Sequence, residues 1–271
     1  MSKAFLIDLS HCNGCYNCQV VCKDEHCGTS WLPYAAEQPV TGQFWMRVDE
    51  KTRGQVPWVR VSYVPTLCAH CADAPCAAVC ASDAFVRRSD GLLVLEPEKC
   101  TGCQACVDAC PMGAIYFNDD AFIAQKCTGC AHLLDNGWAL PRCADSCAHD
   151  AIQFKDEAEY GSLLSEAEAL PGVSGLGPKV YYLHLPKRFV AGSAVDFAAD
   201  EVVIGATVAI SGAKGFRAEL VTDELGDFKF DQIPDDQYSV TITAEGYEPL
   251  TVTADLTELD LSLGDLSLIK A

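Results

Sequence analysis

The chain has 271 residues, 49% hydrophobic and 21% charged, an ordinary globular balance with room for one large or two modest domains. Its 17 cysteines are out of the ordinary, and at that density they mean disulfides or metal. The formal net charge is −19, with 11 Lys and Arg against 17 Asp and Glu in residues 1–150 and 8 against 21 in residues 151–271. That balance argues against nucleic-acid binding, which needs basic patches, and is read as serving solubility. Met1 to Leu9 carries one lysine and no apolar run fit for a signal peptide. No segment approaches the roughly 18 apolar residues of a membrane span. The expectation is a soluble chain whose cysteines serve metal.

In chain order, sixteen cysteines fall into four clusters before residue 150, Cys27 is the remainder, and none follows Cys147. An apolar extended segment leads into three of the clusters: Phe5 to Leu9, Leu92 to Leu95 and Ala121 to Ala124. Three clusters also leave by a shared pattern, Cys80-Ala-Ser-Asp-Ala-Phe-Val, Cys110-Pro-Met-Gly-Ala-Ile-Tyr and Cys147-Ala-His-Asp-Ala-Ile-Gln. Small residues, a turn and a β-prone pair predict a short strand beside each cluster, and the threefold recurrence predicts duplicated architecture. Residues 155–170 are read as a helix ended by Pro171, residues 178–190 as an extended connector packing back onto the metal domain or a partner. From about 191 onward, β-prone runs such as Val208-Ala-Ile210, Phe228-Lys-Phe230 and Tyr238 to Thr243 are separated by Gly212, Gly226, Pro234 and Gly246. Regular short strands predict a small β-sandwich.

Motif I is Cys12-x2-Cys15-x2-Cys18-x3-Cys22 and motif II is Cys68-x2-Cys71-x4-Cys76-x3-Cys80. Motif III is Cys100-x2-Cys103-x2-Cys106-x3-Cys110-Pro111 and motif IV is Cys127-x2-Cys130-x12-Cys143-x3-Cys147. Motifs I and III have the spacing of bacterial ferredoxins. A cubane has four iron corners, each taking one thiolate. A C-x2-C-x2-C loop wraps three of them in an amide-rich turn, and the fourth cysteine starts a helix that points to a neighbouring cluster. Clusters therefore come in pairs, and 16 thiolates match four cubanes. Motif IV alone would pass as a zinc ribbon, but zinc sites are built from two separated cysteine pairs and have no use for the ferredoxin spacing twice.

Cys27 is read as a plain thiol. His11, His70, His132 and His149 lie within two residues of cysteines, but the thiolate set is complete without them. Lys126, Trp138 and Arg142, in or near motif IV, are read as packing and surface residues, with shielding of a cluster or an electrostatic lift of its potential as the sharper option. No nucleophile elbow, zincin motif or phosphate loop occurs, so no catalytic residue is assigned. Redox centres without substrate chemistry make a wire, and a wire needs partners.

The order of the four motifs, with the x4 step in motif II and the 12-residue gap in motif IV, resembles the iron–sulfur subunits of the molybdopterin oxidoreductase (DMSO reductase) family over roughly residues 1–155. The resemblance implies that motif I pairs with IV and II with III. The implied ligand sets are Cys12, Cys15, Cys18 with Cys147; Cys127, Cys130, Cys143 with Cys22; Cys68, Cys71, Cys76 with Cys110; and Cys100, Cys103, Cys106 with Cys80. The short spacer of 19 residues between Cys80 and Cys100 supports the inner pair independently. Phe44-Trp-Met46, Gln125-Lys-Cys-Thr128, Pro141-Arg-Cys-Ala144 and the tail stretches Thr222 to Phe230 and Gly246-Tyr247 resemble the transhydroxylase small subunits that act on pyrogallol and phloroglucinol. In that likeness the tail is a carboxypeptidase-regulatory-like or Cna-B-type sandwich. The transhydroxylase subunit is understood to have lost ligands in motifs II and III, whereas both are complete here.

The predicted fold class is thus α+β: a duplicated ferredoxin-like domain over 1–155 binding four [4Fe–4S] clusters, a helix and extended connector over 156–190, and an all-β sandwich over 191–271. The expected role is a non-catalytic electron-transfer subunit relaying electrons to or from a large molybdopterin (bis-MGD) subunit. That partner would act on a polyphenol or catechol, by reductive dehydroxylation or transhydroxylation. The alternative is a free-standing polyferredoxin. Cytoplasmic location is expected, with export in folded form alongside a signal-bearing partner as the other route. No direct membrane insertion is expected.

Overall fold

Residues 2–271 are described by a computed structural model, in which the polypeptide divides into two units. The first takes the residues up to Glu50 with Tyr63–Leu185, the second Lys51–Ser62 with Pro186–Ala271.

The first unit runs through β1 (Lys3–Asp8), α1 (Asn17–His26), the hairpin β2 (Met46–Gln55) and β3 (Trp58–Leu67), α2 (Pro75–Ala78), β4 (Phe85–Arg87) and β5 (Leu93–Leu95). It continues with α3 (Ala105–Ala109), β6 (Ile115–Asn118), β7 (Ile123–Lys126), α4 (Ala131–Asp135), α5 (Arg142–Asp145), β8 (Ile152–Asp156), α6 (Leu163–Glu166) and β9 (Val180–Leu183). The tip of the β2–β3 hairpin, residues 51–62, groups with the second unit. Apart from the ten-residue α1, the helices are one turn or so long, and five of the six lie in the cysteine motifs. α1 packs against α5, and α2 against α3.

Strand β1 is apolar without alternation, as a strand buried on both faces must be. It lies between β8, antiparallel, and β9, parallel. Phe5 and Ile7 join Ile152, Phe154, Val180 and Tyr182 in one core, while Ala4 and Leu6 join Tyr160 and Leu183 in another. The stretch read as a connector therefore supplies a strand to the first unit. The helix expected over 155–170 does not form as one piece. Lys155 and Asp156 are taken by β8, Glu157–Tyr160 makes one 3-10 turn under an Asp156–Glu159 capping box, and Gly161 at φ 57° breaks the helical path ahead of the single turn of α6. Pairing with β1 outweighs the local helical preference.

The expected strand beside each cluster is present three times. Strand β4 follows motif II, β6 follows motif III and β8 follows motif IV. Before each strand the backbone turns on a left-handed residue, Asp83, Gly113 or Asp150, whose N–H bonds the carbonyl of Cys80, Cys110 or Cys147.

The second unit contains β10 (Arg188–Asp196), β11 (Glu201–Val202), β12 (Thr207–Gly212), β13 (Arg217–Val221), β14 (Asp227–Ile233), β15 (Gln237–Thr243), β16 (Leu250–Asp255) and β17 (Leu261–Ser267). β10 is antiparallel to β11 and β14 and parallel to β17. The other sheet is antiparallel in the order β13-β12-β15-β16. Alternation decides which side chains enter the core. Val208, Ile210, Val240 and Ile242 of one sheet meet Val190, Ala194, Phe228 and Phe230 of the other, while Thr207, Ser211 and Thr241 point away. Arg53 of the hairpin tip makes a two-pronged ion pair with buried Asp260, 2.7 and 2.8 Å, and Asp260 also accepts from the Phe189 N–H. The β2–β3 hairpin, β10 and β17 are elements that the residue pattern did not disclose. Among the described residues no helix is long and apolar enough to cross a membrane.

Candidate metal centres

All 17 cysteines are free thiols, so the disulfide reading has no support in the geometry. Cysteines of different motifs come together in the folded chain. Cys12, Cys15, Cys18 and Cys147 line one recess of about 360 Å³, part of it open to solvent. Cys68, Cys71, Cys76 and Cys110 line a second recess of the same size. Cys22, Cys127, Cys130 and Cys143 lie close enough to act on one another electrostatically. Burial first, and then these neighbours, push the thiols of Cys22 and Cys143 well above the ordinary value. In the fourth set, burial pushes the Cys106 thiol up to about 11, with Cys100, Cys80 and Cys103 adding to it.

Backbone conformation explains how a short loop turns three thiols inward. The residue before the second cysteine is left-handed in every motif: Gly14 at φ 71°, His70 at 47°, Gly102 at 73° and Gly129 at 63°. Glycine adopts this conformation freely. At position 102 it is also required for space, since a Cβ would stand 2.5 Å from the Phe122 ring. The resulting turns aim amides at sulfur. The N–H of His70 reaches Cys68 Sγ at 3.5 Å, Gly129 reaches Cys127 at 3.3 Å, Ala114 reaches Cys110 at 3.4 Å and Ala124 reaches Cys100 at 3.4 Å. At Cys80, the Ser82 hydroxyl and the N–H groups of Ala84 and Ser82 overcome the effect of burial and bring the thiol below its ordinary value.

These sets fit an iron–sulfur cluster by the chemistry of their donors. Burial raises Cys18, Cys76 and Cys130 to about 12, so four such thiols ionise together only around a strongly positive centre. Sulfur-directed amides are what a cluster's thiolates and sulfides accept.

The surroundings of the third set hold side chains whose placement the residue pattern did not give. Glu25 on α1 accepts from His132 Nε2 at 3.1 Å and pairs with Arg142 at 3.2 Å. His132 stacks on Trp31 at 4.5 Å, and His26, 5.3 Å from His132, stands against Trp45. A glutamate in a short helix reads as a surface residue, so Glu25 carried no sequence signal. Arg142 and Trp138 are partly exposed, as expected. Lys126 departs from the expected surface placement and is packed inside. It is only 2% exposed, because the end of β7 passes under Leu93 and takes the side chain inside. His11 and His149 line the first recess, with His149 Nε2 2.8 Å from Asn13. His70 is fully buried, with Nδ1 accepting from the Leu93 N–H at 3.1 Å. Cys27 caps α1 outside the four sets.

Comparison with known proteins bears on the same residues. The 4Fe-4S dicluster domain family matches residues 59–157, and the carboxypeptidase regulatory-like domain family matches residues 190–265. The pyrogallol hydroxytransferase small subunit of Pelobacter acidigallici is 36% identical over 98% of this chain and 97% of its own length. A subunit of the tetrathionate reductase of Salmonella typhimurium is 34% identical over 69% of this chain and 74% of its own length. One polypeptide of the anaerobic dimethyl sulfoxide reductase of Escherichia coli is 33% identical over 55% of this chain and 71% of its own length. The dicluster match decides for [4Fe–4S] clusters over zinc.

Proposed function

This protein belongs to the family of iron–sulfur electron-transfer subunits of the molybdopterin oxidoreductases, and from that premise we propose that it carries four [4Fe–4S] clusters and relays electrons to or from a catalytic subunit holding bis-MGD. The ligand sets are Cys12, Cys15, Cys18 and Cys147; Cys22, Cys127, Cys130 and Cys143; Cys68, Cys71, Cys76 and Cys110; and Cys80, Cys100, Cys103 and Cys106. The observation that carries this reading is that at two recesses three cysteines of one motif meet the last cysteine of another, Cys12, Cys15 and Cys18 with Cys147 and Cys68, Cys71 and Cys76 with Cys110.

When bound, each cluster supplies one-electron redox chemistry at a potential tuned by its surroundings. The protein's own residues hold the thiolates, direct amides at sulfur and exclude water. They also set an order. Cys100 and Cys106 share a core with Cys71, Cys76 and Cys80. Cys68 adjoins Cys127, and Cys18 adjoins Cys143. The four sets thus form a single file, motif III set, motif II set, motif IV set, motif I set, as a wire requires. Full-length likeness to a pyrogallol hydroxytransferase small subunit supports a polyphenol or catechol as the partner's substrate. Complete ligands in all four motifs favour net electron flow, hence reductive dehydroxylation over transhydroxylation. The cytoplasm, where clusters are assembled, is the proposed location.

Iron and acid-labile sulfide per chain, on protein purified without air with its large subunit, test the reading. Four cubanes give about 16 of each, with molybdenum in the co-purifying subunit. About 12 of each would return the balance to three clusters and transhydroxylase-like chemistry. Purification without any molybdenum subunit would favour a free-standing polyferredoxin.

A further inference from the structure

Lys126 ends β7, directly before Cys127, and its side chain is among the most completely buried in the molecule. Its ammonium donates to the carbonyl oxygens of Leu93 and Cys127, the latter at 2.8 Å. Among the described residues it forms no ion pair with a carboxylate. A buried ammonium is costly unless an opposite charge compensates it, and two carbonyl dipoles do so only in part. Cys127 follows it directly in the chain, and Leu93, whose carbonyl it also engages, lines the recess of Cys68, Cys71, Cys76 and Cys110. The buried His70 imidazole is a further neighbour. Cys127 and Cys76 belong to different ligand sets, those that meet in the middle of the file at Cys68 and Cys127. One buried cation thus stands where two of the proposed ligand sets meet, with no carboxylate partner among the described residues.

We propose that Lys126 is the fixed positive charge that raises the reduction potentials of the two middle clusters, held by Cys68, Cys71, Cys76 and Cys110 and by Cys22, Cys127, Cys130 and Cys143. The inference rests on the four-cluster reading. A cluster ligated by four thiolates is anionic, and reduction adds one electron and one further negative charge. A cation nearby in a medium of low dielectric stabilises the reduced state more than the oxidised one. The step moves one electron and no proton. Its two hydrogen bonds hold the charge in place, anchored to Leu93 on the motif II side and to Cys127 on the motif IV side. Lys126 is a positioning residue: it acts on the electron through the potentials of the two middle clusters, which fall without it.

The test is an EPR-monitored potentiometric titration of the intact complex, purified without air, carrying Lys126→Met, Lys126→Gln or Lys126→Arg. Neutral Met keeps the volume of the side chain, Gln keeps two N–H donors for the carbonyls, and Arg keeps the charge. Lys126→Met is expected to lower the equilibrium constant for one-electron reduction at least tenfold at one or both middle clusters, 59 mV for a one-electron couple, with iron content unchanged. Lys126→Arg should stay near the parent protein, and the two outer clusters should not move. Unchanged potentials in an iron-replete Lys126→Met protein overturn the proposal, as do equal shifts in the Met and Arg variants. Should Lys126→Met lose iron, Lys126→Gln decides by the same criterion. Loss of iron from both neutral variants also overturns it, assigning the residue to cluster assembly. A parent protein short of four clusters sinks the functional reading before any variant is compared.

Discussion

The two units solve the problem of a core in different ways. In the second, Val208, Ile210, Val240 and Ile242 pack against Phe228 and Phe230, and strands of five to nine residues supply nearly all the order. In the first, cysteines take core positions: Cys18, Cys22, Cys68, Cys127 and Cys143 sit among Phe5, Trp45 and Leu67, while Cys76 and Cys106 sit among Leu93, Leu95 and Ile115. The helices of its motifs are four to ten residues long, below the length at which a helix holds itself. The sandwich is complete as polypeptide. The cysteine unit has thiols where a core would have hydrocarbon, and the binding energy of its metal is part of its folding energy.

The sharpest way to break the comparison is to remove the iron. Chelation under oxidising conditions is expected to abolish the ordered structure of the first unit in the full-length protein and leave the second folded. Limited proteolysis should then yield a resistant fragment beginning near Pro186. A fragment covering both units would sink the idea. The next largest effect is local. Cys143→Ala removes one buried ligand, and about four iron per chain should be lost, read by iron analysis. A core change in the other unit should do the reverse. Ile242→Ala is expected to cost about 2–5 kcal/mol of sandwich stability by denaturant unfolding, with iron content unchanged. Coupled loss of iron would contradict the separation. The smallest effect probes the repeat. Gly113 at φ 56° occupies the left-handed position that Asp83 and Asp150 fill in the other two exit turns, and nothing lies within 4 Å of its absent Cβ. Gly113→Asp should change stability by less than about 1 kcal/mol, since Asp tolerates this conformation. Gly102→Asp, in contact with the Phe122 ring, should be far worse.

How legible each feature was depended on the distance over which its cause acts. The ferredoxin spacing of motifs I and III was legible because three corners of one cubane are wrapped by seven consecutive residues, and local geometry dictates the spacing. The exit turns were legible for the same reason, each being closed by one hydrogen bond within four residues. Alternation exposed β12, β14 and β15, whose two faces see core and solvent. β10 was hidden because Phe189 to Gly192 are buried one after another and break the alternation that only its second half shows. The helix predicted over 155–170 failed because β1 recruits Lys155 and Asp156, a long-range pairing that composition does not encode.

By itself, then, the amino-acid order determined the kind of cofactor, the number of thiolates and the presence of a β-rich tail, all properties of short segments. Tertiary structure alone decided the rest. It placed Cys147 beside Cys12 across 135 positions, carried β9 back to pair with β1, and buried the Lys126 side chain against the carbonyls of Leu93 and Cys127. These depend on which surfaces folding brings together and on the cost of leaving a charge unpaired inside, and neither quantity is written in any one stretch of residues.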